Sequence, residues 1–205
     1  MAFPVDLTAT LSGASVSQLS NWRRTRLLIP EHASAPRALY SFRDVMALRT
    51  VVSLRRDISL QKIRRAFSSL SELSLTDHPS KYSLVTDGSS VYLVEEDEAL
   101  DLVLRPGQRV VAGLTDIFEP FTNMQGRQVV DFLRPRPHLE VRERRIGGWP
   151  TIAGTRVPYD TVSMMVKDGS ILPSEVPYYY PSVRAEDVAD AVDFDAEVRS
   201  IGATA

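Results

Sequence analysis

Apolar residues recur at helical spacing through the first third of the chain. In LTATLSGASVSQLSNWRRTRLLIP, residues 7–11 predict a short first helix and Gly13 supplies a tight turn. Ser15 is a good N-cap for a second helix running to about residue 24. Leu19 and Trp22, three apart, face the core, whereas Ser17, Gln18, Asn21 and Arg24 face outward. Pro30 ends this segment, and EHASAPRALY predicts a small wing in which Tyr40 anchors the loop. Ser41 then caps a third helix with apolar Val45, Leu48, Val51 and Val52. Leu60, Ile63, Phe67 and Leu70 make a fourth helical stripe, with Lys62, Arg64 and Arg65 beside it.

The period then changes. KYSLVTDGSSVYLVEE holds two β-rich runs, 82–86 and 91–94, joined at Asp87-Gly88, which is a hairpin signal. ALDLVLRPGQRVVAGL gives further short strands broken at Pro106-Gly107, and LTDIFEPFTN reads as a short helix. Residues 76–133 are thus a β-rich connector or dimerisation region, and 134–146, rich in Pro and Arg, an extended linker. From 147 to 205 the chain is ordered again. GGWPTIAGTRVPYD is a turn-rich hairpin leading into a helix over 159–167 that stops at Asp168-Gly169. Pro173 opens a short second helix ending near YYYP, and Ala185-Glu186-Asp187 opens a third with Val188, Ala191, Val192 and Val198 as its apolar face. The fold class is mainly α with small β elements: a winged helix-turn-helix over 1–75, a β-rich middle, and a small helical bundle at the C-terminal end.

Charge sharpens this division. Residues 1–75 hold eleven Lys and Arg against five Asp and Glu, whereas 76–205 hold thirteen against twenty-one. A basic first part suits phosphate and an acidic second part suits a basic protein. At 205 residues and 43% hydrophobic content the chain has material for about two small domains. No apolar run approaches a membrane span and no basic, apolar leader opens the chain, so a cytoplasmic protein is expected. There is no cysteine, hence no disulfide, thiolate metal or redox site. His32, His78 and His138 lie far apart and show no ligand spacing, so neither metal nor cofactor is expected. Asp193 and Glu197, four apart, share one helical face, but no nucleophile–base pair or phosphate loop accompanies them; the pair reads as a solvated acidic face and the protein as no enzyme.

SGASVSQLSNWRRTRLLIP followed by RALYSFRDVMALRTVVSLRRDISLQKIRRAF resembles the winged helix-turn-helix of MerR-type transcription regulators over about residues 7–72. That family usually places an Arg and an aromatic where this chain has Ser20 and Asn21. Neither its long dimerisation helix nor its cysteines follow, so metal sensing is not expected. The resemblance implies operator binding through Ser15, Ser17, Gln18, Asn21, Arg23 and Arg24, with Arg37, Tyr40 and Arg43 at the wing and backbone. A homodimer is expected, since two recognition helices about one DNA turn apart supply specificity that one lacks.

Residues 146–200 resemble a short bacterial antitoxin family catalogued as domain of unknown function 433. Its pattern falls on Gly148, Pro150, Ile152, Gly154, Thr155, Arg156, Val157, Gly169, Ser174, Tyr180, Pro181 and Ala191. This resemblance implies a VapB-type antitoxin that neutralises a PIN-like ribonuclease toxin and represses its own operon. Arg145, Trp149, Arg156, Tyr159, Tyr178 and Tyr179 are the candidate toxin contacts; Arg156 has the competing role of bracing its own turn. The alternative is a stand-alone MerR-like regulator whose C-terminal bundle is a second DNA-binding or effector module.

Overall fold

The computed structural model describes residues 2–75, 77–95, 98–104, 106, 109–110 and 118–203. Four helices open it: α1 (Val5–Ser12), α2 (Val16–Arg24), α3 (Phe42–Leu54) and α4 (Leu60–Glu72). Their starts follow from local chemistry. The Ser15 hydroxyl accepts the Gln18 amide at 3.1 Å, while Gln18 Oε1 accepts the Ser15 amide at 2.8 Å. Ser41 and Asp44 make the same reciprocal box at the head of α3. Gly13 ends α1 at φ +81°, where a Cβ would stand 2.5 Å from Val129 Cγ2, so only glycine fits this turn. The wing is pinned by bridges Phe3↔Tyr40 and Ala33↔Leu39.

The middle section is antiparallel. Strands β1 (Ser83–Thr86), β2 (Val91–Glu95), β3 (Glu98–Asp101) and β4 (Arg109–Val110) form a sheet in chain order, as the first hairpin signal predicts. Asp87 Oδ1 closes the turn by accepting the amides of Ser89 and Ser90 at 2.8 and 2.9 Å. The Gly107 half of the expected Pro106-Gly107 break, and residues 111–117, lie outside the described residues. The short helix expected over LTDIFEPFTN does not form in its described part. Pro120 cannot sit inside a helix, and Asn123 Oδ1 draws in the amides of Gln125 and Arg127, so Phe121–Thr122 (β5) pairs with Gln128–Val129 (β6) instead.

The expected linker at 134–146 is part of the C-terminal unit. It contains β7 (Leu139–Glu140), which pairs with β8 (Thr151–Ile152), and Leu139 and Val141 are buried. Pro and Arg composition hides this strand; the inward alternation of Leu139 and Val141 is its trace. Helices α5 (Tyr159–Val166), α6 (Val176–Tyr179) and α7 (Ala185–Ala203) complete the unit. Val192 of the expected apolar face of α7 is exposed, while Val188, Ala191 and Val198 are buried. Among the described residues no helix is long and apolar enough to cross a membrane.

The units share one hydrophobic core that runs from Phe3 to Val198. Helix α1 packs against both α3 and α7, which is why even its Thr8, Thr10 and Ser12 are buried. Thr10 and Ser12 satisfy their hydroxyls on the carbonyls of Asp6 and Thr8. Phe3 meets Trp149 with ring centroids 5.7 Å apart. Gly148, at φ +85°, lets the backbone approach Phe42, where a Cβ would lie 2.1 Å from Cδ2.

Arg49 of α3 is the most unusual core residue, with no exposed surface. One guanidinium nitrogen donates to Leu11 O at 2.7 Å; the other faces the carbonyls of Phe118, Glu119 and Val130 at 3.1, 2.7 and 2.8 Å. Its carbon stands 5.1 and 5.6 Å from the ring centroids of Phe121 and Phe132. Arg49→Leu removes the donor of the Leu11, Glu119 and Val130 carbonyls, leaving Phe118 O only its bond from the Phe132 amide, and is expected to cost at least about 3 kcal/mol. That corresponds to a fall of roughly 6–12 °C in melting temperature. Arg49→Lys rescues little, because an ammonium lacks the planar fork. Thermal and urea unfolding of the full chain checks both variants; a wild-type melting temperature for Arg49→Leu contradicts the clamp.

Candidate nucleic-acid interface

Helix α2 buries Leu19 and Trp22 and turns Ser17 and Arg24 to solvent, as its pattern predicts; Gln18 is only partly exposed, and Ser20, outside the expected set, is exposed as well. Asn21 is half-buried at the edge of that face and accepts from Arg24 at 3.0 Å. Ser15 and Gln18 are partly consumed by the capping box; Ser17 shares one hydrogen bond with the Ser15 hydroxyl at 2.9 Å, and Asn21, among the described residues, keeps its amide nitrogen free to reach a base edge. Arg23 reaches back to the wing, donating to Ser34 O at 2.9 Å. Arg37 is exposed on the wing and forms no hydrogen bond or ion pair with a described residue. Arg43 is exposed but paired to Glu31 at 2.6 Å. Tyr40 does not belong to the DNA-facing surface. It is 2% exposed, and its role is to seat the wing on Phe3.

The sequence reading left Arg26 and Arg64 out of this face. Arg26 is exposed at φ +56°, just past the end of α2. Arg64 of α4 donates to Thr25 O at 3.1 Å, so a cation from α4 closes the C-terminal end of the recognition helix. The basic flank of the α4 stripe is the only sequence signal for this contact.

Beside the wing sits a buried carboxylate. Asp44 Oδ2 accepts the amides of Glu31 and Ser41 at 2.9 and 2.8 Å, and Oδ1 lies 3.2 Å from His78 Nε2. Burial pushes its carboxyl up, but the bonds from His78 and the two amides outweigh it and hold the group below its ordinary value. Glu31, Asp44 and His78 come close enough to offer ligand atoms to one cation, as do His138, Glu186 and Asp187. In both groups the carboxylates already carry partners: Arg43 for Glu31, backbone amides for Asp44, and Arg184 for Glu186 and Asp187. These groupings therefore serve as ion-pair networks. They join residues more than 30 positions apart, which is why spacing gave no sign of them.

In the C-terminal unit the Gly-Thr-Arg motif is a built turn. Gly154 takes φ +74° and donates its amide to the buried Glu140 Oε1 at 2.7 Å. Thr155 Oγ1 donates to Ile152 O and accepts the Val157 amide, each at 3.0 Å. Arg156 emerges from this turn exposed, with no hydrogen bond or ion pair to a described residue, so it does not brace the turn. Tyr178 and Tyr179 are also exposed, Tyr178 to 87%.

The other proposed toxin contacts are otherwise engaged. Tyr159 is buried edge-on against Phe194 at 4.9 Å, and burial, with nearby Asp160, pushes its hydroxyl far up; it cannot touch a partner from there. Trp149 is half-buried against Phe3 and donates to Asp160 at 3.3 Å. Arg145 is ion-paired to Glu140. Asp193 and Glu197 are not a free carboxylate pair: Arg136 holds them at 2.6 and 2.8 Å.

Comparison with known proteins agrees with this division. Residues 4–70 match the family described as MerR HTH family regulatory protein, and residues 139–194 match Protein of unknown function (DUF433). The chain therefore carries a MerR-type helix-turn-helix domain at its N-terminal end and a DUF433 unit at its C-terminal end. It is 36% identical over 106 residues to the Uncharacterized HTH-type transcriptional regulator Rv1830 of Mycobacterium tuberculosis (strain ATCC 25618 / H37Rv). The same identity holds for Mb1861 of Mycobacterium bovis (strain ATCC BAA-935 / AF2122/97), described in the same words. The match covers 49% of this chain, and the chain spans about half the length of these curated relatives, 46%. In fold it is similar to the crystal structure of Rv2018 from Mycobacterium tuberculosis, with a TM-score of 0.50 at 15% identity over 93% of this chain and 96% of that one.

The Asp44 network yields a pH dependence. A carboxyl held below its unfolded value adds stability above that value, about 3.9, and loses it as pH falls through the folded one. Asp44→Ala is expected to cost about 2 kcal/mol or more at pH 7, from the lost cap and amide bonds. The gap to wild type narrows once the pH falls below about 4. Urea unfolding at pH 7 and pH 3 measures it; an equal gap at both refutes the assignment.

Proposed function

We propose that the protein is a DNA-binding transcription regulator that acts as the antitoxin of a type II toxin–antitoxin pair. The observation that carries the DNA half is the MerR-type winged helix-turn-helix with an exposed α2 face and an unpaired wing arginine, Arg37. Ser17 and Asn21 read base edges, and Arg24, Arg26 and Arg37 hold phosphates. Two copies of the chain bind as a homodimer to an operator, in the cytoplasm. The relatives described as HTH-type transcriptional regulators support this half.

The antitoxin half rests on the DUF433 pattern of the C-terminal unit, whose resemblance implies an antitoxin, and on Arg156. A PIN-like ribonuclease gathers carboxylates around a metal; an unpaired arginine on a rigid turn is suited to enter that site. The exposed Tyr178 and Tyr179 supply apolar contact area, the usual role of aromatics at interfaces. A second reading has support of its own. The helix-turn-helix and the C-terminal unit share a core, which suits a regulator whose C-terminal unit is a fixed effector module. In either reading the protein performs no chemistry itself.

The tests use the whole chain, because a fragment ending at 75 would expose the α1 face that packs on α7. Titration of the chain's own promoter at two salt concentrations is expected to show affinity falling steeply with salt. Arg37→Ala weakens all sequences alike, while Asn21→Ala costs roughly 1–3 kcal/mol on the preferred sequence alone. Salt-independent binding argues against the DNA half. Arg156→Ala is expected to leave stability within about 0.5 kcal/mol of wild type. In an RNA-cleavage assay with the co-encoded toxin it weakens inhibition at least about tenfold. Undiminished inhibition by Arg156→Ala removes the arginine from the mechanism.

A further inference from the structure

A cleft of 580 Å³ opens between the start of α1, the recognition helix, the wing and the end of α7 at Gly202. Its volume falls in the range of small-molecule sites. The lining divides by chemistry. Val16, Leu19 and Leu39 give it an apolar floor, while Arg23 and Arg37 bring two cations against the single carboxylate of Asp6. Asp6 Oδ1 is turned to its own helix, accepting the Leu7 amide at 2.8 Å.

Tyr40 also lines the cleft, and it supplies a second, independent observation. Its ring is buried in the core, while its hydroxyl has no hydrogen-bond partner among the described residues and keeps accessible surface at the cleft. Burial pushes its ionisation up, with Arg23 opposing and Asp44 assisting, so the phenol stays a donor at neutral pH. A phenolic donor that lacks an acceptor, beside a guanidinium and over an apolar floor, matches a ligand with an oxyanion at one end and a hydrocarbon body at the other.

We propose that this cleft binds an apolar organic carboxylate, whose carboxylate takes the Tyr40 hydroxyl and Arg23 while its body covers Val16 and Leu19. The bound carboxylate occupies Arg23 and crowds Arg37, so it competes with DNA. The competition rests on the DNA-binding reading; the binding itself does not.

Isothermal titration of the full chain with sodium 1-naphthoate, neutral 1-naphthamide and inorganic phosphate tests the site. Naphthoate is expected to bind with a dissociation constant of about 1 mM or tighter. Naphthamide and phosphate bind at least about tenfold more weakly, since each lacks half of the match. Tyr40→Phe, which keeps the ring and the backbone bridge to Phe3, weakens naphthoate about tenfold, as does Arg23→Ala. In a promoter titration, saturating naphthoate weakens DNA binding several-fold. No naphthoate binding at roughly ten times the expected constant overturns the proposal. So does equal binding of the amide, or an unchanged affinity in Tyr40→Phe. Phosphate binding as tight as naphthoate overturns it in favour of a plain anion contact of the kind a DNA backbone makes. Naphthoate that binds without displacing DNA overturns the competition, whereas failure of DNA binding in all conditions reports only on the DNA reading.

Discussion

A guanidinium buried at the centre of the molecule decides how its parts are joined. Taking an arginine out of water costs several kcal/mol, and the core tolerates it only where acceptors are fixed around it. Arg49 meets that condition by drawing carbonyls from three places in the chain: the end of α1, the segment just before β5 and the residue after β6. The acceptors are main-chain carbonyls, one of which, Phe118 O, also takes the Phe132 amide at 2.8 Å. Phe121 and Phe132 exclude water from it. The helix-turn-helix and the middle hairpin are therefore held in register by hydrogen bonds that neither can replace when separated.

Helix α1 carries the consequence further. It is the first helix of the DNA-binding unit, yet it packs on α7, the last helix of the C-terminal unit. Asn123 of the β5–β6 turn donates to Gly13 O, and Arg127 donates to Ala9 O, so the hairpin also grips α1. Helix α7 runs 19 residues, about 28 Å. Its first turns meet His138 through Asp190, and its end reaches the cleft beside the recognition helix. The recognition helix's unit and the unit that presents Arg156 thus pack on one another through α1 and α7.

Local chemistry made much of this legible in the sequence. Ser15 and Ser41 announce their helices because a capping box is written within four residues, and Leu19 with Trp22 marks the inner face of α2 because helical spacing does the same. The Gly-Thr-Arg stretch reads as a turn for the same reason. What stayed hidden depends on partners far away in the chain. Tyr40 and Tyr159 look like surface aromatics until Phe3 and Phe194 arrive, and Trp149 is taken up by Phe3 from 146 positions away. Arg49 is one arginine among many in a basic stretch; nothing nearby says that it alone is dry. The strand at 139–140 was masked by its Pro- and Arg-rich surroundings, and Glu140, which holds the turn at Gly154, was masked with it.

The division of charge between the two halves changes meaning once the chain is folded. From residue 160 onward acidic residues outnumber basic ones nine to three, which by itself suggests an acidic face for a basic partner. Most of those carboxylates are spent within the molecule. Asp193 and Glu197 hold Arg136, Asp195 holds Arg199, Glu186 and Asp187 hold Arg184, and Asp190 lies by His138. Asp168 and Glu175 close local turns, and Asp160 receives Trp149. A carboxylate already facing a cation projects a weaker field, and salt screens what is left within about 10 Å. Net charge then steers a partner toward this end but does little to hold it. Holding falls to groups that the fold leaves unmatched. Among those in the C-terminal unit are Arg156, which a buried glutamate, a left-handed glycine and a bridging threonine combine to present without giving it a partner, and the two tyrosines that α6 leaves in water.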